Sequence, residues 1–130
     1  MTKSRVLVAV AVMLSFAALG AQPTPADGVV HLKLDKSTPE ADQVLTAAPD
    51  RVVLDFSLAP ELAVSRVVVS NGETDAKLGE LKRSEDDETI LWAGFEEPVA
   101  DGMYTVNWTT SSGDGHPVRG EFSFTVSAGR

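Results

Sequence analysis

Two stretches near the C-terminus keep a strict period of two. Tyr104, Val106 and Trp108 alternate with Thr105, Asn107 and Thr109. Val118, Gly120, Phe122, Phe124 and Val126 alternate with Arg119, Glu121, Ser123 and Thr125. Successive side chains on a strand point to opposite faces, so the pattern describes strands with one buried face. The same period appears earlier: Val30, Leu32 and Leu34 set against His31, Lys33 and Asp35, then Val52, Leu54, Phe56 and Leu58 against Arg51, Val53, Asp55 and Ser57. Residues 64–70 (VSRVVVS) form a further strand, closed by the Asn71-Gly72 turn signal. Lys77 to Lys82 is a weaker strand candidate, and 89–95 (TILWAGF) is apolar enough to be buried on both sides. Ser37-Thr38-Pro39 breaks the first strand, and Pro39 to Ala47 holds one helical turn at most. Ala100-Asp101-Gly102-Met103-Tyr104 has the form of a tyrosine corner. About seven short strands with turn signals between them predict an all-β chain: a single antiparallel β-sandwich, Greek-key and immunoglobulin-like. Phe56, Trp92, Trp108, Phe122 and Phe124 are expected in its core.

The first residues stand apart from this pattern. Lys3 and Arg5 precede a continuous apolar run, Val6 to Leu19, and the small residues Ala18, Gly20 and Ala21 follow. The run falls short of the ~20 residues that span a bilayer, so 1–21 reads as a cleaved secretory signal peptide. Residues 22–28 (QPTPADG) read as a flexible leader and 29–127 as the folded domain, with no membrane span after cleavage. These features predict a periplasmic protein. No cysteine is present, so the fold must rest on its core without disulfides. Loss of Lys3 and Arg5 takes the formal charge from −8 to −10, because residues 1–21 contain no acid. Such acidity argues against nucleic acid or an anionic lipid surface as a partner.

Between the two C-terminal strands lies SSGDGHPVRGEFSF, residues 111–124. Asp114 and His116 sit two residues apart on a loop stiffened by Pro117, a carboxylate and an imidazole within reach of one point. That pair suits a borderline divalent ion such as Cu(II), Ni(II) or Zn(II). Taken alone the spacing is equally at home in a turn, since Asp-Gly is ordinary turn chemistry. The other histidine of the chain, His31, lies by parity on the outward side of the first strand. Nothing resembles a Ser/His/Asp set or paired acids for glycoside cleavage, so no catalytic residue is assigned and the chain is not read as an enzyme.

Residues 31–39, HLKLDKSTP, resemble the opening pattern H-x-x-L-x-x-S-x-P of the CopC family of periplasmic copper-binding proteins. Residues 102–126 resemble that family's closing block, in which G-x-Y-x-V-x-W leads to S-x-D-G-H-P-V-x-G-x-F-x-F. The resemblance implies a Cu(II) site made by a histidine at the start of the mature chain with the Asp and His of the D-x-H loop. By motif these are His31, Asp114 and His116. It implies a protein that sequesters Cu(II) or hands it on in copper homeostasis and resistance, with an inner-membrane copper transporter of the same system as partner. Two departures follow from the sequence. Cleavage after Ala21 leaves nine residues, Gln22 to Val30, ahead of His31, so a free α-amine is not beside this imidazole. After the signal only Met103 remains, so no Cu(I) methionine site is expected. The alternative reading is an envelope interaction module on the same sandwich, with degraded or weak metal binding.

Overall fold

The structure, a computed structural model, describes residues 31–129. The signal and leader expected over 1–28 therefore lie outside the described residues. Eight strands form two four-stranded sheets. In chain order they are β1 (Leu34–Thr38), β2 (Val44–Leu45), β3 (Arg51–Phe56), β4 (Arg66–Ser70), β5 (Lys82–Arg83), β6 (Ile90–Gly94), β7 (Gly102–Ser111) and β8 (Pro117–Val126). One sheet has the order β1-β3-β6-β5 and the other β2-β8-β7-β4. The sheets meet face to face, which is the sandwich that the alternation predicts.

The inward positions of both sheets build one core. Val52, Leu54, Phe56 and Leu91 come from the first sheet, and Val69, Tyr104, Val106, Trp108, Phe124 and Val126 from the second. Leu32, just ahead of β1, joins them at 2% exposure. Each such side chain removed from water stabilises the fold by about 1.5–3 kcal/mol. Phe56 meets Trp108 edge-on across the sheets, with ring centroids 5.3 Å apart. Tyr104 stacks on its cross-strand neighbour Phe124 at 5.5 Å. The Tyr104 hydroxyl donates to the Ala100 carbonyl at 2.7 Å, which closes the expected tyrosine corner.

Several sequence expectations are corrected. Trp92 is not core: Leu91 and Ala93 take the inward positions of β6, so parity sends Trp92 outward. There its ring lies under the Arg51 guanidinium, 4.6 Å from the ring centre, with Lys82 Nζ at 5.5 Å. Residues 89–95 thus have one buried face, not two. The first strand runs through Ser37 and Thr38 and stops at Pro39, which has no N–H to continue a ladder. Its pairing with β3 shifts between Leu34 and Lys36, so the parity read over residues 30–35 does not extend along it. β5 holds two residues where a strand over 77–82 is expected, with Leu78 bridging Phe95 alone. Residues 62–64 form a 3-10 turn, and the strand expected from 64 begins at Arg66. The sandwich is not wholly antiparallel either. β2 runs parallel to β8, a two-residue strand too short to register as a period.

Gly120 shows why one inward position of β8 carries no side chain. It sits directly opposite Trp108, and a Cβ placed there would stand 2.5 Å from the indole ring. The indole takes that space. Gly120→Ala is expected to destabilise the protein by about 1–3 kcal/mol, the usual cost of overpacking, measured as a lower urea midpoint. Tyr104→Phe, which leaves the Ala100 carbonyl without its donor, is expected to cost about 1 kcal/mol in the same measurement.

Candidate metal centre

β7 and β8 pair without a register shift from Gly102 opposite Val126 to Ser111 opposite Pro117. The loop 112–116 is therefore carried at the end of a long, regular hairpin. Its stem is tied to the neighbouring connection. Glu61 N–H donates to the Ser111 carbonyl at 2.8 Å. The Ser65 hydroxyl lies 2.6 Å from both the Glu61 carbonyl and Thr110 Oγ1. Ser65, Thr110 and Ser111 are buried, so these bonds satisfy polar groups that would otherwise be costly inside the fold.

Within the loop, the backbone and Asp114 set the geometry. Gly115 N–H donates to the Ser112 carbonyl at 3.0 Å, and Gly115 takes φ 79°, a left-handed conformation that suits glycine. Asp114 Oδ1 accepts from the Ser112 hydroxyl at 2.7 Å and from His116 N–H at 3.0 Å. Its other oxygen, Oδ2, lies 3.3 Å from His116 Nδ1. The bond from the His116 amide, followed by that from Ser112, holds the Asp114 carboxyl down to about 2. Asp114 is an anion fixed by two donors on one oxygen, with the second oxygen turned to an exposed imidazole. That is a rigid two-donor corner open to solvent, built from the acceptor and nitrogen types that a borderline divalent ion takes.

His31 is exposed, as its parity predicts. Lys33, two residues on, exchanges bonds with Ser57 through Ser57 Oγ (3.0 Å) and Ser57 N–H (2.8 Å). The chain leaving Ser57 reaches Glu61, which is bonded to Ser111. His31 therefore belongs to the same end of the sandwich as the Asp114–His116 loop. Among the described residues, however, no three His, Cys, Asp or Glu side chains gather into a metal-holding group. The structure brings Asp114 and His116 together and does not join His31 to them. Ser112 is a site residue that the spacing of Asp114 and His116 did not reveal. Its place two residues before an Asp in a Gly-rich turn was the available signal.

The chain is similar to known proteins over this whole region. Protein YobA of Escherichia coli (strain K12) is 32% identical over 97 residues, which cover 74% of this chain and 78% of that protein. The crystal structure of CopC from Methylosinus trichosporium OB3b superposes with a TM-score of 0.68 at 30% identity, covering 75% of this chain and 94% of that one. The crystal structure of PcoC, a methionine-rich copper resistance protein from Escherichia coli, gives 0.66 at 27% identity, over 75% of this chain and 99% of that one. The CopC domain model matches residues 34–127, a span that includes Asp114 and His116 and starts three residues after His31. On that match, and on the sandwich and hairpin loop described above, the chain belongs to the CopC family.

Proposed function

We propose that this protein binds a single Cu(II) ion through Asp114 and His116, with His31 as the third ligand, and sequesters it or hands it on. The observation that supports this most directly is the Asp114–His116 corner, held by Ser112 in a chain of the CopC family. PcoC is a methionine-rich copper resistance protein, and Copper resistance protein C of Escherichia coli is 27% identical to this chain over 105 residues. Copper is cargo here, and no catalytic step is assigned to the site. The apolar run near the N-terminus supports a periplasmic location, and an inner-membrane copper transporter of the same system is the proposed recipient. No helix among the described residues is long and apolar enough to cross a membrane.

The proposed site would offer two imidazoles, from His31 and His116, and the Asp114 carboxylate, leaving the remaining positions on the ion to water. Without the terminal amine it has one strong nitrogen donor fewer, which weakens Cu(II) binding and narrows its preference over Zn(II). Met103, 65% exposed on β7, is the sole methionine after residue 21, too few thioethers for a Cu(I) site. A second reading, an interaction module with weak metal binding, is favoured by one observation: His31 is not gathered with the other two ligands.

Titration of the metal-free protein with Cu(II), followed by its d–d band, is expected to reach an end point at one ion per chain. His116→Ala should weaken binding by more than ~100-fold, beyond the 10–100-fold that outer-shell changes produce. His31→Ala should weaken it less, and identical titrations for wild type and His116→Ala would overturn the assignment. Mass-spectrometric mapping of the mature N-terminus bears on the two readings: a chain starting at His31 supplies the amine and restores the full site, and one starting at Gln22 leaves the decision to the Cu(II) titration.

The loop's own electrostatics give a further expected outcome in metal-free protein. Because the Asp114 carboxyl is depressed, what it contributes to the loop is fully present above its ordinary 3.8 and lost as pH falls through about 2. Ser112→Ala removes one of the two donors to Oδ1 and should move the midpoint of the Asp114 carboxyl carbon shift upward. An unmoved midpoint would show that the hydroxyl does not hold the carboxylate.

A further inference from the structure

Immediately downstream of the Asp114–His116 loop, one edge of the second sheet is open among the described residues. β2 pairs with β8 only at Thr125 and Val126, and Asp42 N–H donates to the Ser123 carbonyl at 2.7 Å, so cover begins at Ser123. Thr125 N–H and Ser127 N–H likewise donate outward, to Gln43 and Leu45. Odd-numbered residues of β8 therefore turn their main-chain groups away from β7. The shift-free β7–β8 register carries that parity back to Arg119 and Glu121. Their N–H and C=O groups face a groove of about 700 Å³ between β8 and β1, with Leu32, Leu34, Trp108, Val118 and Phe122 on its walls. Among the described residues, no strand pairs with this side of β8 over residues 117–122. The facing edge, β1, is interrupted by its register shift and closed by Pro39, whereas β8 keeps one register along its length.

What such an edge accepts is another strand. Residues 118–122 read Val-Arg-Gly-Glu-Phe: apolar, cationic, glycine, anionic, apolar. A two-fold axis through Gly120 sets Arg119 of one copy opposite Glu121 of the other, and Val118 opposite Phe122. Both residues of the Arg119–Glu121 pair have outward main-chain groups, so the pair is of the type that exchanges two N–H···O=C bonds. The adjacent registers of the same parity put Arg119 against Arg119 or Glu121 against Glu121, and like charges directly opposite destabilise. The pairing is also bounded. Pro117 has no N–H to offer, and the Ser123 carbonyl already accepts from Asp42.

We propose that a second copy of this chain docks on this edge: the two β8 strands pair antiparallel about Gly120, with an Arg119–Glu121 ion pair on each side of the axis. The two sandwiches then share one continuous sheet, and Val118 and Phe122, half-buried in the single chain, cover each other. The surface is isologous, as a closed two-fold dimer requires. With five residues a side and a net charge of −8 on each chain, the association belongs to the weak class.

Sedimentation equilibrium of the purified, metal-free protein, taken to ~1 mM at physiological salt, tests it. Wild type is expected to show a rising dimer fraction. Arg119→Glu and Glu121→Arg, each placing like charges opposite one another on both sides of the axis, should weaken association at least tenfold. The double exchange Arg119→Glu/Glu121→Arg should restore it, and so should an equimolar mixture of the two single variants, which re-creates both pairs in a heterodimer. Circular dichroism melts confirm that each variant is folded. A wild type that stays monomeric overturns the proposal and leaves the edge to a strand of a different protein. Single variants that associate like wild type, or an exchange and a mixture that both stay monomeric, overturn it as well. Because the samples hold no metal, these outcomes are independent of the copper reading.

Discussion

The ladder between β7 and β8 is the constraint from which the other features of this molecule follow. It pairs residue for residue from Gly102–Val126 to Ser111–Pro117, and each rung assigns one residue to the core and its neighbours to solvent. Its inward face supplies Tyr104, Val106, Trp108, Phe124 and Val126, which is most of the second sheet's share of the core. Gly120 leaves room for the Trp108 indole, and that indole in turn meets Phe56 of the opposite sheet. A side chain at position 120 would disturb the contact between the sheets as well as the strand.

The same ladder gives the Asp114–His116 loop its rigidity. A five-residue loop on a free hairpin would be loosely held, because local openings are least costly where few buried contacts anchor the backbone. Here the stem is buried, and Glu61, Ser65 and Thr110 lock it to the next connection. Asp114 is then oriented from within the loop by Ser112 and the His116 amide. Carboxylate and imidazole are held near one another by a local turn, whose hydrogen bonds favour the Asp114 anion and whose left-handed position is filled by Gly115. His31 is held differently. Leu32 and Lys33 anchor it at the start of an edge strand, and no bond ties it to the loop.

Much of this was legible in the residues. The strict alternation in 104–109 and 118–126 is that of one-sided strands, and the structure has those strands at Gly102–Ser111 and Pro117–Val126, within two residues of the alternating stretches. The tyrosine corner was readable because its signal is local, a Tyr four residues after the carbonyl it binds. The misreadings share one cause. Trp92 looks like core by size and hydrophobicity, yet the register of β6 against β3 and β5 turns it outward between two cations. β2 has too few residues to carry a period, and the shift in β1 breaks the parity that a period of two depends on.

The sequence by itself determined which residues share a strand face, where the Asp114–His116 turn lies, and to which family the motifs point, because each of these is encoded by neighbours a few positions apart. Only the tertiary structure decided which strand ends are covered, which aromatic faces water, and which ligand-type residues gather. Those outcomes depend on pairings between segments dozens of residues apart, and on which segment occupies each hydrogen-bonding edge. The Asp114–His116 corner therefore shows both kinds of information. Asp114 and His116 meet because of a local turn, and whether His31 completes the site depends on how the chain before β1 approaches the end of the sandwich.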